Sequence, residues 1–270
     1  MRLGVSNLLW TPDLDGQVAQ LLVRRQVDAV DLAPSRYFRD LSAATTAEIR
    51  HLSQFWTRHG ISITGMQALL YGTTGLNIFG DQGTRRRTQE HLRAAMRIGE
   101  GLGATQLVFG SWRNRNRGQL PPFLAMDRAV EFFSEAAGDA GRLGVCLSVE
   151  PVGARYGNNF LVSHEEAAEL VTRVDHPSLR LTLDIGCVGM AGEDIATVLQ
   201  RHAPLISHVQ IAEYQLAPLC ADNPLHAAAG PIVAAGLPGR VACIEALKPP
   251  DVRSIDAIAQ SLDVAQAHYG

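Results

Sequence analysis

Cysteine is scarce in this chain. The four present (Cys146, Cys187, Cys220 and Cys243) form no C-x-x-C pair and no framework spacing. No disulfide scaffold is encoded, and reduced thiols in a cytoplasmic protein are the expectation. An excess of basic charge is missing as well. The 24 Lys and Arg are outnumbered by 27 Asp and Glu, and a net charge of −3 argues against a grip on phosphate backbones, hence against nucleic acid as a partner. No long apolar run opens the sequence: Met1-Arg2 leads into a few hydrophobic residues that Ser6 and Asn7 interrupt. That fits neither a signal peptide nor a membrane span. The closing Ala267-His268-Tyr269-Gly270 carries no lipidation motif, so no membrane partner is expected. With 25 Gly and 13 Pro, neither disorder nor a collagen-like repeat is encoded.

What is present is 270 residues, 46% of them hydrophobic, with no linker and no low-complexity stretch. That is ample for one core without a structural metal. A short β-rich run followed by a longer helical pattern recurs along the chain. The runs begin near Arg2, Asp28, Ile61, Thr105, Val145, Leu179, Ile206 and Arg240, and the starts average 34 residues apart. A strand, a crossover helix and two loops need about that many. Thr84–Gly101 and Phe123–Gly141 carry apolar residues at helical spacing, and Ser163 followed by His164-Glu165-Glu166 reads as an N-cap with early acids. Eight such units predict an α/β fold, a single (β/α)8 TIM barrel over 1–270. A doubly wound open sheet is the competitor. The barrel is preferred because no glycine fingerprint follows the first run and eight strands are counted.

Function in such a barrel sits at the carboxyl ends of the strands. Runs five to eight end on polar side chains: Ser148-Val149-Glu150, Thr182-Leu183-Asp184, His208-Val209-Gln210 and Cys243-Ile244-Glu245. A side-chain period of two places Ser148 with Glu150, Thr182 with Asp184 and His208 with Gln210 on shared faces. Any one of these acids alone reads best as a strand end turning into solvent. Three carboxylates converging inside a barrel repel one another unless a cation lies among them, and all-oxygen ligation suits Mg2+ or Mn2+.

The chain resembles the xylose-isomerase-like barrel superfamily of sugar-phosphate isomerases and epimerases. The resemblance is carried by Gly4-Val5-Ser6-Asn7, by Met66-Gln67 with the residues up to Gly72, and by Leu107-Val108-Phe109-Gly110-Ser111. It continues through Val149-Glu150-Pro151, Leu183-Asp184-Ile185-Gly186, His208-Val209-Gln210-Ile211 and Ile244-Glu245. It implies one divalent ion held by Glu150, Asp184, Gln210 and Glu245, with Mn2+ or Mg2+ ahead of Co2+ or Zn2+. Gln210 stands where the family usually has His, as in its hydroxypyruvate isomerase branch, and its neutral amide oxygen favours hard ions. His208 is the alternative ligand on the same face. Cys187 stands where the epimerase branch has a substrate-holding His, and Leu216 stands near the place of its Arg. The implied substrate is therefore not that of a standard ketose 3-epimerase.

The implied activity is a metal-dependent isomerase or epimerase of a sugar or sugar derivative, working by proton transfer beside a carbonyl through a metal-stabilised enolate. Glu150 and Glu245 are the expected proton-transfer groups. A lyase or dehydratase on a keto-sugar or cyclitol using the same metal is the alternative, and a non-catalytic sugar-binding barrel is a third reading. The DNA-cutting branch of the superfamily needs extra His near strands three and four, and those ends read Gly65-Met66-Gln67 and Phe109-Gly110-Ser111.

Further candidates for touching a carbohydrate-like substrate are Asn7, Gln67, Arg113, Arg115, Cys187, His208, Glu213 and His226. Asn7 and Gln67 read equally well as loop-satisfying residues, and Arg113, Arg115 and Arg117 as a solvated loop. Trp10, Tyr71, Phe79 and Trp112 are candidates for an apolar wall, although large aromatics are more often core. His164 and His202 read as surface helix residues. No helix face marks a seam, so a homo-oligomer is left open.

Overall fold

The computed structural model describes residues 1–270. Eight strands pair in parallel and in chain order until β8 closes on β1: β1 Arg2–Ser6, β2 Ala29–Leu32, β3 Ser62–Met66, β4 Gln106–Phe109, β5 Cys146–Val149, β6 Leu179–Asp184, β7 Ile206–Ala212 and β8 Val241–Glu245. Helices cover the outside: α1 Asp15–Arg24, α2 Thr46–Arg58, α3 Gln82–Leu102, α4 Pro122–Arg142, α5 His164–Val174, α6 Ile185–Ala191, α7 Ile195–His202, α8 Pro224–Gly236 and α9 Ser254–Tyr269. This is a (β/α)8 TIM barrel, with the open-sheet alternative excluded by the β1–β8 ladder.

The strands are Val-, Leu- and Ile-rich because most positions are covered on both faces, by helices outside and by the opposing wall inside. β2 is buried at all four positions, and β7 at all but Ser207. Outside, Phe109 of β4 meets Phe133 of α4 edge-on at 5.3 Å, and Trp56 of α2 meets Trp10 at 6.1 Å. The Trp10 ring nitrogen donates to Asp15 at 2.7 Å. Trp10 is therefore core, and Phe79 likewise packs on Phe160.

Helix ends follow local chemistry. Thr45 and Glu48 form a reciprocal capping box on α2. Ser163 caps α5 by accepting from the Glu166 backbone N–H, as its position before two acids implied. The helices expected over Thr84–Gly101 and Phe123–Gly141 run one or two residues longer at each end. One unit holds two helices: α6 ends at Gly192 in the left-handed region, and Asp194 caps α7 two residues later. The chain ends meet where the Met1 ammonium donates to the Tyr269 carbonyl at 3.0 Å. No helix is long and apolar enough to cross a membrane.

Candidate active site

Adjacent strand ends at the mouth of the barrel present the polar residues. Register pairs Asp184 with Gln210, Gln210 with Cys243, and Ala212 with Glu245. Glu150 follows β5 directly, where its backbone N–H donates to the Phe109 carbonyl at 3.2 Å. Asp184 is both the last residue of β6 and the N-cap of α6. Its Oδ1 accepts the Cys187 backbone N–H at 2.7 Å, which fixes the carboxyl and leaves its second oxygen free to face the mouth.

Gly110 makes room for Glu150. A Cβ on Gly110 would run into Glu150 Oε2, so a side chain there would displace the carboxyl. Glu150, Asp184 and Cys187 form the tightest group: one ligand atom from each lies within 4.8 Å of the others, and all three residues are buried. Glu245 is buried but stands outside that group. Burial raises the carboxyl of Glu150 above its ordinary value, and Asp184 adds to it. Asp184 is raised by burial, despite the stabilising bonds from Cys187. Glu245 is raised too, by burial first and then by the charges of Glu150 and Asp184. A cation among them would offset that cost.

Gln210 carries the most informative defect. It is 0% exposed, and neither its amide oxygen nor its amide nitrogen has a hydrogen-bond partner. Burying an unpaired amide costs about 1–3 kcal/mol. Its placement beside Asp184 fits a divalent ion bound through the amide oxygen. The residues present therefore suit such an ion on donor chemistry, on the vacant amide and on the cradle at Gly110.

Two other strand-end amides are half satisfied. Asn7 accepts the Ala33 N–H at 2.7 Å through Oδ1, and its Nδ2 is unpaired. Gln67 donates to the Ser6 hydroxyl and keeps Oε1 unpaired. Both have a structural duty and a spare polar atom.

Several expected contacts are placed elsewhere. Arg115 does not sit in a solvated loop. It is 0% exposed and donates to the carbonyls of Phe109 (3.2 Å) and Glu150 (2.7 Å), so it braces the two strand ends beneath Glu150. Burial lowers its pKa only to about 10, with Glu150 opposing the drop, and it stays cationic near neutrality. Arg113 is exposed and lies over the Trp112 ring at 5.0 Å.

Glu213 and His226, both expected against substrate, contact each other. Glu213 accepts from the Cys220 N–H at 2.9 Å and the Asn223 amide at 2.6 Å, and meets His226 Nε2 at 3.2 Å. A carboxylate only accepts, so Nε2 carries the ring proton, and Nδ1 accepts from the Tyr269 hydroxyl at 3.0 Å. His226 lies inside α8, fully buried. His164 and His202 are also buried rather than on the surface; His164 meets Glu193 at 2.8 Å.

His208 shares the face of Gln210 but points at Asp31 of β2, 2.8 Å away. Burial pushes the Asp31 carboxyl up, yet the His208 charge and contact outweigh it, and the carboxyl is held below its ordinary value. Gly65 leaves space for Asp31, since a Cβ there would come within 2.7 Å of Oδ1. The Thr182–Ser148 hydroxyl pair at 2.9 Å shares this layer one step below the mouth, where Asp31 Oδ2 and His208 Nε2 face each other at ion-pair distance without hydrogen-bond geometry. His208 Nε2 is thus turned to Asp31. Asp31 was hidden inside the run Ala29-Val30-Asp31-Leu32; an acid in a strand buried on both faces demands a partner, and that was the available signal.

The family described as the xylose isomerase-like TIM barrel matches residues 20–267. A zebrafish (Danio rerio) protein named as a putative hydroxypyruvate isomerase is 33% identical over 89 residues. That match spans 32% of this chain and 32% of the relative, about a third of its length. Among solved structures, D-psicose 3-epimerase with D-tagatose from Clostridium cellulolyticum H10 superposes with a TM-score of 0.83 at 16% identity. It covers 100% of this chain and 99% of that one. The IOLI protein with a bound zinc atom gives a TM-score of 0.74 at 17% identity, covering 100% and 98%. These likenesses establish the shared fold, and with the family match across nearly the whole sequence, the chain belongs to the xylose isomerase-like TIM barrel family.

Proposed function

We propose that this chain is a divalent-metal-dependent isomerase or epimerase acting on a sugar or sugar derivative. The observation that carries the reading is the buried, wholly unpartnered amide of Gln210 beside the carboxyl of Asp184. Glu150, Asp184 and Gln210 would hold the ion, with Glu245 completing the set from β8. When bound, a divalent ion would supply Lewis-acid polarisation of a carbonyl and its neighbouring hydroxyl. Support for the substrate class comes from the epimerase and isomerase names of the relatives.

Glu150 and Glu245 suit proton transfer to and from the carbon beside the carbonyl. They come from different strands, β5 and β8, and burial raises both carboxyls toward the range where general acid–base catalysis at neutral pH works best. Asn7 and Gln67 bring a donor and an acceptor for substrate hydroxyls. The barrel wall beneath, closed by Asp31, His208, Thr182 and Ser148, keeps water from approaching from below.

The test is incubation of the Mn2+-loaded protein with a panel of ketoses and keto-acids in deuterated water. Label is expected at the carbon beside the carbonyl, with a product of equal mass, and is expected to vanish in Glu150→Gln and Glu245→Gln. A product lighter by one water would make the chain a dehydratase. No exchange across the panel would overturn the reading.

A further inference from the structure

We propose that Cys187 is a ligand of the ion, so that the site binds through sulfur as well as oxygen and prefers Zn2+ or Co2+ to Mg2+. This rests on the ion-site reading above and changes the donor set. The expectation from the sequence placed Cys187 against substrate. The geometry places its Sγ 3.8 Å from Glu150 Oε1, and within 4.8 Å of a carboxylate oxygen of both Glu150 and Asp184. Two ligands of one ion stand at about that separation, given bonds of about 2.0–2.3 Å to oxygen and sulfur. The backbone of Cys187 is itself pinned by Asp184 Oδ1 at 2.7 Å, so the thiol and the carboxyl are held as a unit. The orphaned Gln210 amide supplies the independent sign that something is bound here.

Most of the charge is offset. Glu150, Asp184, Glu245 and the Cys187 thiolate bring four negative charges into a buried pocket. A divalent ion and the buried Arg115 guanidinium, whose field reaches both Glu150 and Cys187, bring three positive ones. Beyond its bonds to two carbonyls, Arg115 makes no carboxylate bond and its Nε is unpaired, so its charge is not spent in an ion pair. The remaining thiols do not compete for the role. Cys146 lies at the start of β5, 3.9 Å from the Ser207 hydroxyl, Cys220 is exposed, and Cys243 lies by Asp31 in the layer below. On ligation the thiol proton passes to solvent and the sulfur lone pair forms the bond to the ion. A soft sulfur donor shifts preference toward Zn2+ and Co2+.

The experiment is reconstitution of the chelator-stripped native chain with Co2+, read by absorption. One ion per chain is expected, with visible ligand-field bands and an intense near-ultraviolet sulfur-to-cobalt charge-transfer band. That band should be lost in Cys187→Ser and retained in Cys146→Ser and Cys243→Ser. Cadmium NMR of the Cd2+-loaded native chain gives the same answer without a variant, by a downfield shift that only sulfur ligation produces. Stoichiometric Co2+ with visible bands but no charge-transfer band, or a band that survives in Cys187→Ser, would overturn the sulfur ligand and leave the ion site standing. Failure to take up Co2+, Zn2+ or Mn2+ at all would overturn both.

Discussion

Two groups of buried polar side chains in this barrel differ in how completely they are satisfied. Behind β7, Glu213, His226 and Tyr269 form a closed chain in which the ring nitrogens and both carboxylate oxygens have partners. At the mouth, Gln210 has none, Asn7 and Gln67 each lack one, and three carboxyls resist ionisation. His226 and Tyr269 are as hidden from water as Gln210, so burial alone does not separate the groups. A satisfied buried network is structure. The unsatisfied one at the mouth, with Gly110 leaving room for Glu150, fits the ion proposed above.

Substitutions on the two sides should therefore fail differently. The largest effect is expected at Glu150→Gln: a drop in kcat of about 10²–10⁴, while the ion-free chain is at least as stable to urea as the native one. A fall in stability instead would place Glu150 among the structural residues. Arg115→Met strands the carbonyls of Phe109 and Glu150, and a loss of about 2–3 kcal/mol in chemical unfolding is expected. His226→Ala opens the closed chain at its centre. It should cost about 1–3 kcal/mol and leave the number of ions bound per chain unchanged in a metal titration; loss of the ion would bring that network into the site. Ser163→Ala removes only the cap of α5, and a fall of about 1 kcal/mol is expected from the same unfolding curves.

The barrel was legible because strand and helix patterns repeat eight times, and each repeat is set by local chemistry. The line of strand-end residues Glu150, Asp184, Gln210 and Glu245 was legible too, since alternation fixes which residues share a face. Partners were not. Nothing local tells that Arg115 folds back under β4 and β5, or that His226 reaches Tyr269 across 43 residues of sequence. Such contacts depend on how loops close over the barrel. Asp31 was missed for the opposite reason: it lay inside a strand, where attention to strand ends passed it over. The position of Cys187 was legible, while its distance to Glu150 depends on how α6 starts from the Asp184 cap.

The central claim is that the mouth of the barrel holds a divalent ion, and thermal unfolding of the chelator-stripped chain, with and without Mn2+ at several pH values, tests it most directly. Burial raises the carboxyls of Glu150, Asp184 and Glu245 in the folded state. The ion-free protein should thus be most stable below their ordinary values of 3.8 to 4.5 as far as these groups are concerned, and should lose stability as pH rises toward and through neutrality. Mn2+ should restore it at neutral pH, saturating at one ion per chain, with about 2.7 kcal/mol gained at a free ion concentration of a hundred times Kd. Unfolding curves at neutral pH that ignore Mn2+, Zn2+ and Co2+ alike would contradict the account.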